Sequence, residues 1–508
     1  MPRNSFLSVW LLILIWIGSS LSISAQIVIP FTEPLTVKLV QDIPTVGLKG
    51  DPFTLTRVRS VQNTEQSLRY LDGTNGKGAT VQIPLTELKK LRFDNPCSAN
   101  QIWEIEALQS NMYENILKKG YQYKDRISIH EEAKLWIQRL EEENRIYEDP
   151  FVEEYLYSLL FKILPKQLKD LRPGQSQILL TREVTPQCYL LPDGTIILSV
   201  GLLSMLESEA ELFAVLSHEM AHFVLDHPNI TLQKNISRKK REEFWAGFAT
   251  ALAAGAEAYL SIKHNTVVSP ALSYPLAQLT AEKSLQIIDR FALKHDLNVE
   301  LEADKMAALL CSYYGYPKES IGAYYARLQK YNDAIKNPYT TDDFGMIPEI
   351  RRRMVTAGWG HHLELPKDSD FLKKMASITS YVGYVEAFVF KRFELASYLA
   401  QRNVDIGMGL EPDYLTLGVA TRRLKSTKDG LQESVRLLSR AKNLKVNPIN
   451  QVHKELALSY VSLGDYPSAI SELQFFVDNI LTMAYTDGDP LHEELQWARG
   501  MIHRLRRG

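Results

Sequence analysis

The five-residue string His218-Glu219-Met220-Ala221-His222 restricts the fold of this chain more than any other feature. Two histidines four residues apart lie one turn apart on the same face of an α-helix, so both imidazoles can bind one metal ion. Glu219, between them in the sequence, lies near that ion. The pattern is typical of a zinc site in which the glutamate takes a proton from a zinc-bound water. The alternative is two half-exposed histidines on an ordinary amphipathic helix.

The residues around this string favour a helix. Two overlapping capping boxes, Ser204 with Glu207 and Ser208 with Glu211, begin a stretch of helical periodicity that Pro228 ends. A helical pattern is therefore predicted from Ser204 to about Asp226, and the helix that contains the HExxH string is expected to begin near Ser208.

A catalytic zinc site needs a third protein ligand. Metzincins would have Gly at 225 and His at 228, and the chain has Leu225 and Pro228, which excludes that class. His227 lies nine residues beyond His218, about 180° around the helix at ~100° per residue, so we predict a solvated residue at the helix end.

The acidic string Asn298-Val299-Glu300-Leu301-Glu302-Ala303-Asp304 is the candidate source of that third ligand. Asn298 suits a helix N-cap, and Glu300 and Asp304 at i, i+4 share one face, whereas Glu302 points elsewhere. The alternative is a solvated acidic helix face.

Several motifs in order, over roughly residues 130–360, resemble zinc metallopeptidase family forty-eight, which includes the CAAX prenyl proteases, HtpX and BepA. They are Leu191 to Gly194, Gly201-Leu202-Leu203, the HExxH string and the acidic string. The resemblance implies a mainly helical, gluzincin-type domain with a small sheet. It also implies roles for five residues: zinc ligands His218, His222 and Glu300, with one Zn²⁺ per chain, general base Glu219, and Asp304 as a carboxylate that orients a ligand histidine.

The chain departs from this family at one position. Members with a periplasmic repeat tail carry a His-Pro pair followed by an arginine, and here Ile347-Pro348 and Arg353 stand at the matching positions. The histidine that could cap the zinc is missing at 347, and His361 or His362 is the candidate replacement. Arg353 is either an ion-pair residue or an oxyanion donor.

The length of 508 residues is too great for a single hydrophobic core, so several domains are predicted. Residues 1–25 combine Arg3, an apolar run and small residues, as in a secretory signal peptide, and predict a secreted or periplasmic protein; an uncleaved anchor is the alternative. We expect an α+β protein with a small β domain at 26–95, the metallopeptidase domain at 96–364 and a helical repeat domain at 365–508.

The C-terminal domain resembles tetratricopeptide repeats. Leu456 to Tyr460, Leu463 to Tyr466 and Ala469 fit the pattern, and a fainter copy with Gly418 in place of Ala457 lies upstream. Such helix pairs offer a concave surface for a partner protein. A plain helical bundle is the alternative.

Charge and hydropathy limit the other partners. Lys and Arg number 58 against 60 Asp and Glu, with no basic stripe, so nucleic acid is not an expected partner. Residues 244–262 are rich in Ala and Gly but contain Glu257, which favours a buried or interfacial helix with at most peripheral membrane contact over a membrane span.

Together these features predict a zinc endopeptidase of protein quality control that hydrolyses peptide bonds in misfolded or envelope proteins. The strand Thr195, Ile196, Ile197, Leu198 is expected to pair with an extended substrate. The alternative is a chaperone-like or scaffold protein that binds partners through its repeats and has a silent or latent zinc site.

Overall fold

The computed structural model describes eleven stretches of the chain, and the predicted signal peptide, the segment 244–262 and the histidines at 361 and 362 lie outside them. These stretches are 26–62, 67–110, 112–117, 123–142, 144–166, 176–191, 193–227, 297–334, 346–360, 363–482 and 490–507. The chain forms two compact units, residues 1–127 with 165–172 and residues 128–164 with 173–508. The predicted domain limits at 95 and 364 are finer than this division and stay predictions.

The first unit contains a five-stranded antiparallel sheet in the order β4-β3-β2-β1-β5. Its strands are β1 (Gln26–Leu39), β2 (Pro52–Gln62), β3 (Ser67–Asn75), β4 (Thr80–Pro84) and β5 (Leu91–Phe93), with a 3₁₀ helix at Leu85–Lys90. Helices α1 (Ala99–Gln109) and α2 (Met112–Ile116) follow, and α1 packs on β1. A small β structure near the N-terminus therefore matches the sequence pattern, with two differences in detail.

The pattern of the sequence predicts a strand from Thr36 to Val40, whereas β1 starts ten residues earlier, at Gln26. Pro30 and Pro34 interrupt the alternation in this region, because proline has no N–H to donate to a sheet. The structure accommodates them through a shift of register against β2 between Pro30 and Leu35. The two prolines therefore obscure the strand pattern in the sequence, although the strand still forms.

The string Asp72-Gly73-Thr74-Asn75-Gly76 predicts a turn from its composition. The turn forms later, at Gly76–Gly78, because Asp72 and Gly73 belong to β3. A Cβ at Gly73 would lie 2.2 Å from the backbone oxygen of Thr54 on β2, so the close approach of the two strands requires glycine. Asp72 is buried between two guanidinium groups of β2, those of Arg57 and Arg59, with N···O distances of 3.0 and 2.7 Å. Both turn-type residues therefore serve the packing of the sheet.

Helix α3 (Tyr123–Glu142) leads into the second unit, whose elements before the acidic string are α4 (Pro150–Ile163), β6 (Gln177–Thr181), β7 (Cys188–Leu190), β8 (Thr195–Ser199), α5 (Val200–Met205) and α6 (Glu209–Val224). The three strands form one sheet in the order β6-β8-β7, with β6 parallel and β7 antiparallel to β8. Gly194, with φ of +93°, forms the turn from β7 to β8 and packs against Phe223 of α6. The sheet is thereby fixed to the helix that carries the HExxH string.

The later helices of this unit are α7 (Leu297–Tyr313), α8 (Ser320–Ala334), α9 (Met346–Ala357), α10 (Ser369–Lys374), α11 (Ala376–Phe388), α12 (Phe393–Asp405), α13 (Glu411–Leu424), α14 (Lys428–Asn443), α15 (Asn450–Leu463), α16 (Tyr466–Leu481) and α17 (Pro490–Leu505). Helices α13 and α14, and then α15 and α16, form successive packed pairs. Gly418 of α13 lies so close to α14 that a Cβ would approach Leu438 Cγ to 2.5 Å. In the part of the chain that the structure describes, no helix combines the length and the apolar character needed to cross a membrane.

Helix α6 lies at the centre of the second unit. All of its residues except Glu209 and Glu219 are buried, and it packs against α4, α7, α8 and β7. Ser208 caps its first turn by accepting a hydrogen bond from the Glu211 N–H, as predicted. A helix buried on nearly every side holds its side chains in fixed positions.

The start of α6 is joined to the C-terminal helices by buried polar contacts. Arg402 of α12 donates to the backbone oxygens of Ser204 and Leu206 at 2.6 and 3.3 Å, and to Thr379 Oγ1 at 2.8 Å. Arg327 of α8 pairs with Glu211 at 2.8 Å. The position of the segment that leads into α6 therefore depends on contacts with both α8 and α12.

We expect Arg402→Leu to lower the free energy of unfolding by about 2–4 kcal/mol, because two backbone carbonyls would lose a buried charged donor. The matched control is Arg436→Leu, since the Arg436 side chain is 71% exposed and pairs only with Glu433 in the described part of the chain; a change within about 0.5 kcal/mol is expected there. Urea unfolding of both variants tests the prediction. Equal effects would contradict it.

The stability of the first unit should depend on pH through Glu104. This carboxylate is 1% exposed and accepts hydrogen bonds from Tyr113 and from the Thr32 N–H. Burial raises the pKa of Glu104 to about 7, although both hydrogen bonds lower it. The folded chain then binds a proton more tightly than the unfolded chain between pH ~4.5 and ~7, so the stability that this group contributes is lost as the pH rises.

Glu104→Gln should remove this contribution. Between pH 5 and pH 8 the wild type should lose about 1–3 kcal/mol more stability than the variant, because glutamine does not ionise. Chemical unfolding of both proteins at the two pH values is the measurement. The same pH dependence in both proteins would show that Glu104 is not responsible.

Candidate metal centre

Helices α6 and α7 bring three candidate metal ligands together. The Nε2 atoms of His218 and His222 lie 3.0 Å apart, and Glu300 places carboxylate oxygens 3.5 Å from His218 Nε2 and 3.7 Å from His222 Nε2. Both histidines are buried, and Glu300 is half-buried. The structure thus assembles the three residues that the sequence predicted as ligands.

Asp304 lies directly behind His218. Its Oδ1 is 3.0 Å from His218 Nδ1, on the side of the ring away from Glu300, and it also accepts a hydrogen bond from Tyr325 at 2.8 Å. Burial by itself would raise the pKa of Asp304, but Arg353 and His218 lower it well below its usual range. An ionised Asp304 holds the Nδ1 proton of His218 and leaves Nε2 free to bind a metal.

Arg353 of α9 joins both carboxylates. Its guanidinium is 2.6 Å from Glu300 Oε2 and donates to Asp304 at 2.6 and 2.8 Å, and it also contacts the Tyr325 hydroxyl. Of the two roles that the sequence left open for Arg353, the geometry is that of an ion pair. Ile347, which stands where the resembling peptidases carry the histidine of a His-Pro pair, lies on the same helix α9.

Glu219 projects beside the ligand cluster and is partly exposed. It makes a hydrogen bond with the thiol of Cys188 on β7, and the Tyr324 phenol of α8 lies near both groups. Burial, the largest influence, raises the pKa of Glu219 to about 7, with Glu300 adding to the rise and His218, Arg353 and Cys188 opposing it. A carboxylate with such a pKa is suited to accept a proton near neutral pH.

Sequence reasoning did not find Cys188 or Tyr324. Neither residue belongs to a motif, and each reaches Glu219 only because β7 and α8 both pack against α6. Burial raises the pKa of the Cys188 thiol well above its usual value, so the group is a neutral donor. No signal in the sequence pointed to these contacts.

The prediction that His227 is a solvated residue is wrong. His227 is only 4% exposed, and its Nδ1 lies 3.0 Å from His222 Nδ1. The prediction applied the helical rotation per residue to a residue that lies beyond the end of the helix. Helix α6 ends at Val224, and Asp226, with φ of +66°, reverses the chain direction. The angle of ~100° per residue no longer applies at residue 227.

The predicted substrate strand also needs correction. Thr195, Ile196, Ile197 and Leu198 form β8, which lies between β6 and β7 and uses both of its edges within the sheet. All four residues are buried. An extended peptide cannot pair with β8 while both neighbours are in place, and among the described strands β7 forms the edge beside Glu219.

The donor set fits a divalent zinc ion. Two imidazoles and one carboxylate form the three-ligand set of catalytic zinc sites, and their ligand atoms all lie within 4.8 Å of one another. Glu300 and Asp304 supply two carboxylates and Arg353 one positive charge, so a divalent cation would help to balance the remaining negative charge. Burial would lower the pKa of His218, but hydrogen bonds to Asp304 and Glu300 raise it to about 9, so a metal that binds Nε2 must displace a proton from it.

We expect the purified wild-type protein to hold about one Zn²⁺ per chain, and His218→Ala or His222→Ala to lose it, because two remaining ligands bind zinc weakly. Glu300→Gln should weaken zinc binding more than Glu302→Gln does. His503→Ala, which removes an exposed histidine of α17, is the control. Metal analysis by mass spectrometry measures the content, and a full zinc content in the double alanine variant would reject the site.

Part of the chain is similar to a known protein family. Residues 169–340 match the family model described as Peptidase family M48, whereas no curated protein matches the chain. The matched stretch contains His218, Glu219, His222, Glu300 and Asp304 and ends before Arg353 and the C-terminal helices. M48 peptidases are zinc-dependent, and this part of the chain is similar to them.

Proposed function

We propose that this protein is a zinc-dependent endopeptidase, secreted or periplasmic, that hydrolyses peptide bonds in misfolded or envelope proteins. The observation that carries the proposal is the convergence of His218, His222 and Glu300 beside the partly exposed Glu219. A silent metal site would need only the three ligands. The fourth group, placed to exchange protons, supports hydrolysis.

The residues of the chain divide the work of peptide hydrolysis. A zinc ion held by the three ligands would polarise the scissile carbonyl and lower the pKa of a water. Glu219 accepts the proton of the attacking water and then donates it to the leaving amine. Its pKa of about 7 favours both directions of transfer, because the carboxylate neither holds the proton too tightly nor releases it too readily.

The remaining charged groups keep the ligands in position. Asp304 holds the Nδ1 proton of His218, and Arg353 holds Asp304 and Glu300 as carboxylates. Because Arg353 directs its donors to these two side chains, it stabilises the ligand set and does not face a substrate carbonyl. Its removal should therefore weaken the metal site as well as catalysis.

An extended substrate would pair with β7. This strand is antiparallel to β8 and lies at the edge of the sheet next to α6, with Cys188 in contact with Glu219. Pairing of a peptide backbone along such an edge provides affinity without strict sequence demands. This suits a peptidase that acts on many unfolded segments.

The predicted signal peptide supports a location outside the cytoplasm, and the C-terminal helix pairs, which resemble tetratricopeptide repeats, offer a surface for a partner protein. Peripheral membrane contact through residues 244–262 is part of this proposal. The near balance of 58 Lys and Arg against 60 Asp and Glu makes a nucleic-acid partner unexpected.

Glu219→Gln tests the proposal. We expect the variant to retain zinc and fold but to lose cleavage of unfolded casein by about 10²–10⁴-fold, because the amide cannot accept the proton. Glu154→Gln, at an exposed position on α4, is the matched control and should cleave like the wild type. Zinc content, thermal unfolding and cleavage are measured on the same preparations, with and without a chelator.

Each outcome has a distinct meaning. Retained cleavage would remove Glu219 from the mechanism, and lost zinc would make it a ligand. A wild type that binds zinc but cleaves no unfolded protein would reject the peptidase proposal in favour of the chaperone-like alternative.

A further inference from the structure

We propose that His227, backed by Glu302, is a positioning residue that holds the ring of His222 in the tautomer that binds the metal. The proposal deepens the zinc site of the proposed function and rests on it. It gives His222 a support that corresponds to the one that Asp304 gives to His218. Neither His227 nor Glu302 was predicted to take part in the site.

The contacts form a short chain behind His222. His222 Nδ1 lies 3.0 Å from His227 Nδ1, and His227 Nε2 lies 3.3 Å from Glu302 Oε2. The two imidazole rings are 5.0 Å apart and inclined by 73°, an edge-to-face arrangement that aims one ring nitrogen at the other. His227 is buried, so water does not compete strongly for its Nδ1.

The two ring nitrogens of His222 face different partners. Nε2 faces His218 and Glu300, whereas Nδ1 faces His227. His227 therefore lies on the opposite side of the ring from the other two ligands and is not itself placed to bind the same ion. Its contribution must pass through His222.

One assignment of protons satisfies all of these contacts. A metal at Nε2 of His222 requires the proton on Nδ1, which donates to Nδ1 of His227. Nδ1 of His227 is then an acceptor, so the proton of its neutral ring is on Nε2, from which it donates to Glu302. The carboxylate thus fixes the tautomer of His227, and His227 fixes the tautomer of His222.

Glu302 should support His222 more weakly than Asp304 supports His218. The Glu302 side chain is 40% exposed, whereas that of Asp304 is 2% exposed and touches its histidine directly. Solvent screens the charge of Glu302, and the intervening ring lengthens the path. We therefore expect the acceptor atom of His227 to matter more than the charge of Glu302.

A pair of substitutions of similar size separates positioning from packing. His227→Asn places a side-chain oxygen near the former Nδ1 and keeps an acceptor for His222, whereas His227→Leu fills the buried space without an acceptor. Zinc affinity is measured by competition with a chromophoric chelator, and folding of the metal-free proteins by thermal unfolding. Glu302→Gln and Glu302→Leu test the outer contact in the same way.

We expect His227→Leu to weaken zinc binding by about 10–100-fold, as is usual when a partner behind a ligand histidine is lost. His227→Asn should bind zinc within about fivefold of the wild type, and Glu302→Leu should lose more than Glu302→Gln. For packing alone the order at 227 reverses, because leucine suits a buried apolar position better than asparagine does.

Equal affinities of His227→Leu and the wild type, or weaker binding by His227→Asn than by His227→Leu, would overturn the inference. A wild type without zinc affinity would overturn it too. These results are distinct from failure of the proposed function, which is a loss of cleavage by a wild type that binds zinc normally.

Discussion

The buried guanidinium of Arg353 joins two carboxylates one helical turn apart, Glu300 and Asp304, and the metal centre depends on this contact. Two like charges in a buried place repel each other, and one would take up a proton unless a positive charge lay between them. The proposed roles of Glu300, as a metal ligand, and of Asp304, as the group that orients His218, both require a carboxylate. Helix α9, which carries Arg353, lies beyond the residues that match the M48 model, so the centre draws on a part of the chain outside that match.

The residues whose spacing lies within one helix could be predicted from the sequence. His218 and His222 on α6, and Glu300 and Asp304 on α7, take the relative positions that 3.6 residues per turn dictates. The same rule misplaced His227, because Pro228 indicated only roughly where the helix ends. The backbone of Asp226, which turns the chain back, carries no clear sequence signal, since an aspartate adopts a positive φ only occasionally.

Contacts between distant elements could not be predicted. The three residues of β7 have no alternating pattern long enough to mark a strand, so β8 was taken for an accessible strand when it is the central one. The hydrogen bond of Cys188 with Glu219 follows from that sheet order, and the turn-type residues Asp72 and Gly73 belong to a strand for reasons that appear only when β2 is beside β3. In each case, a partner remote in sequence decides the local structure.

The contacts of Arg402 limit how far the chain can be shortened from its C-terminus. The carbonyls that it binds, those of Ser204 and Leu206, lie immediately before the helix that carries both ligand histidines. A shortened protein that ended before α12 would leave these carbonyls without their charged donor, and the first turn of the ligand helix would fray more readily. The C-terminal helices thus brace the helix that carries both histidines, and a fragment that keeps this contact extends at least to the end of α12 at Asp405.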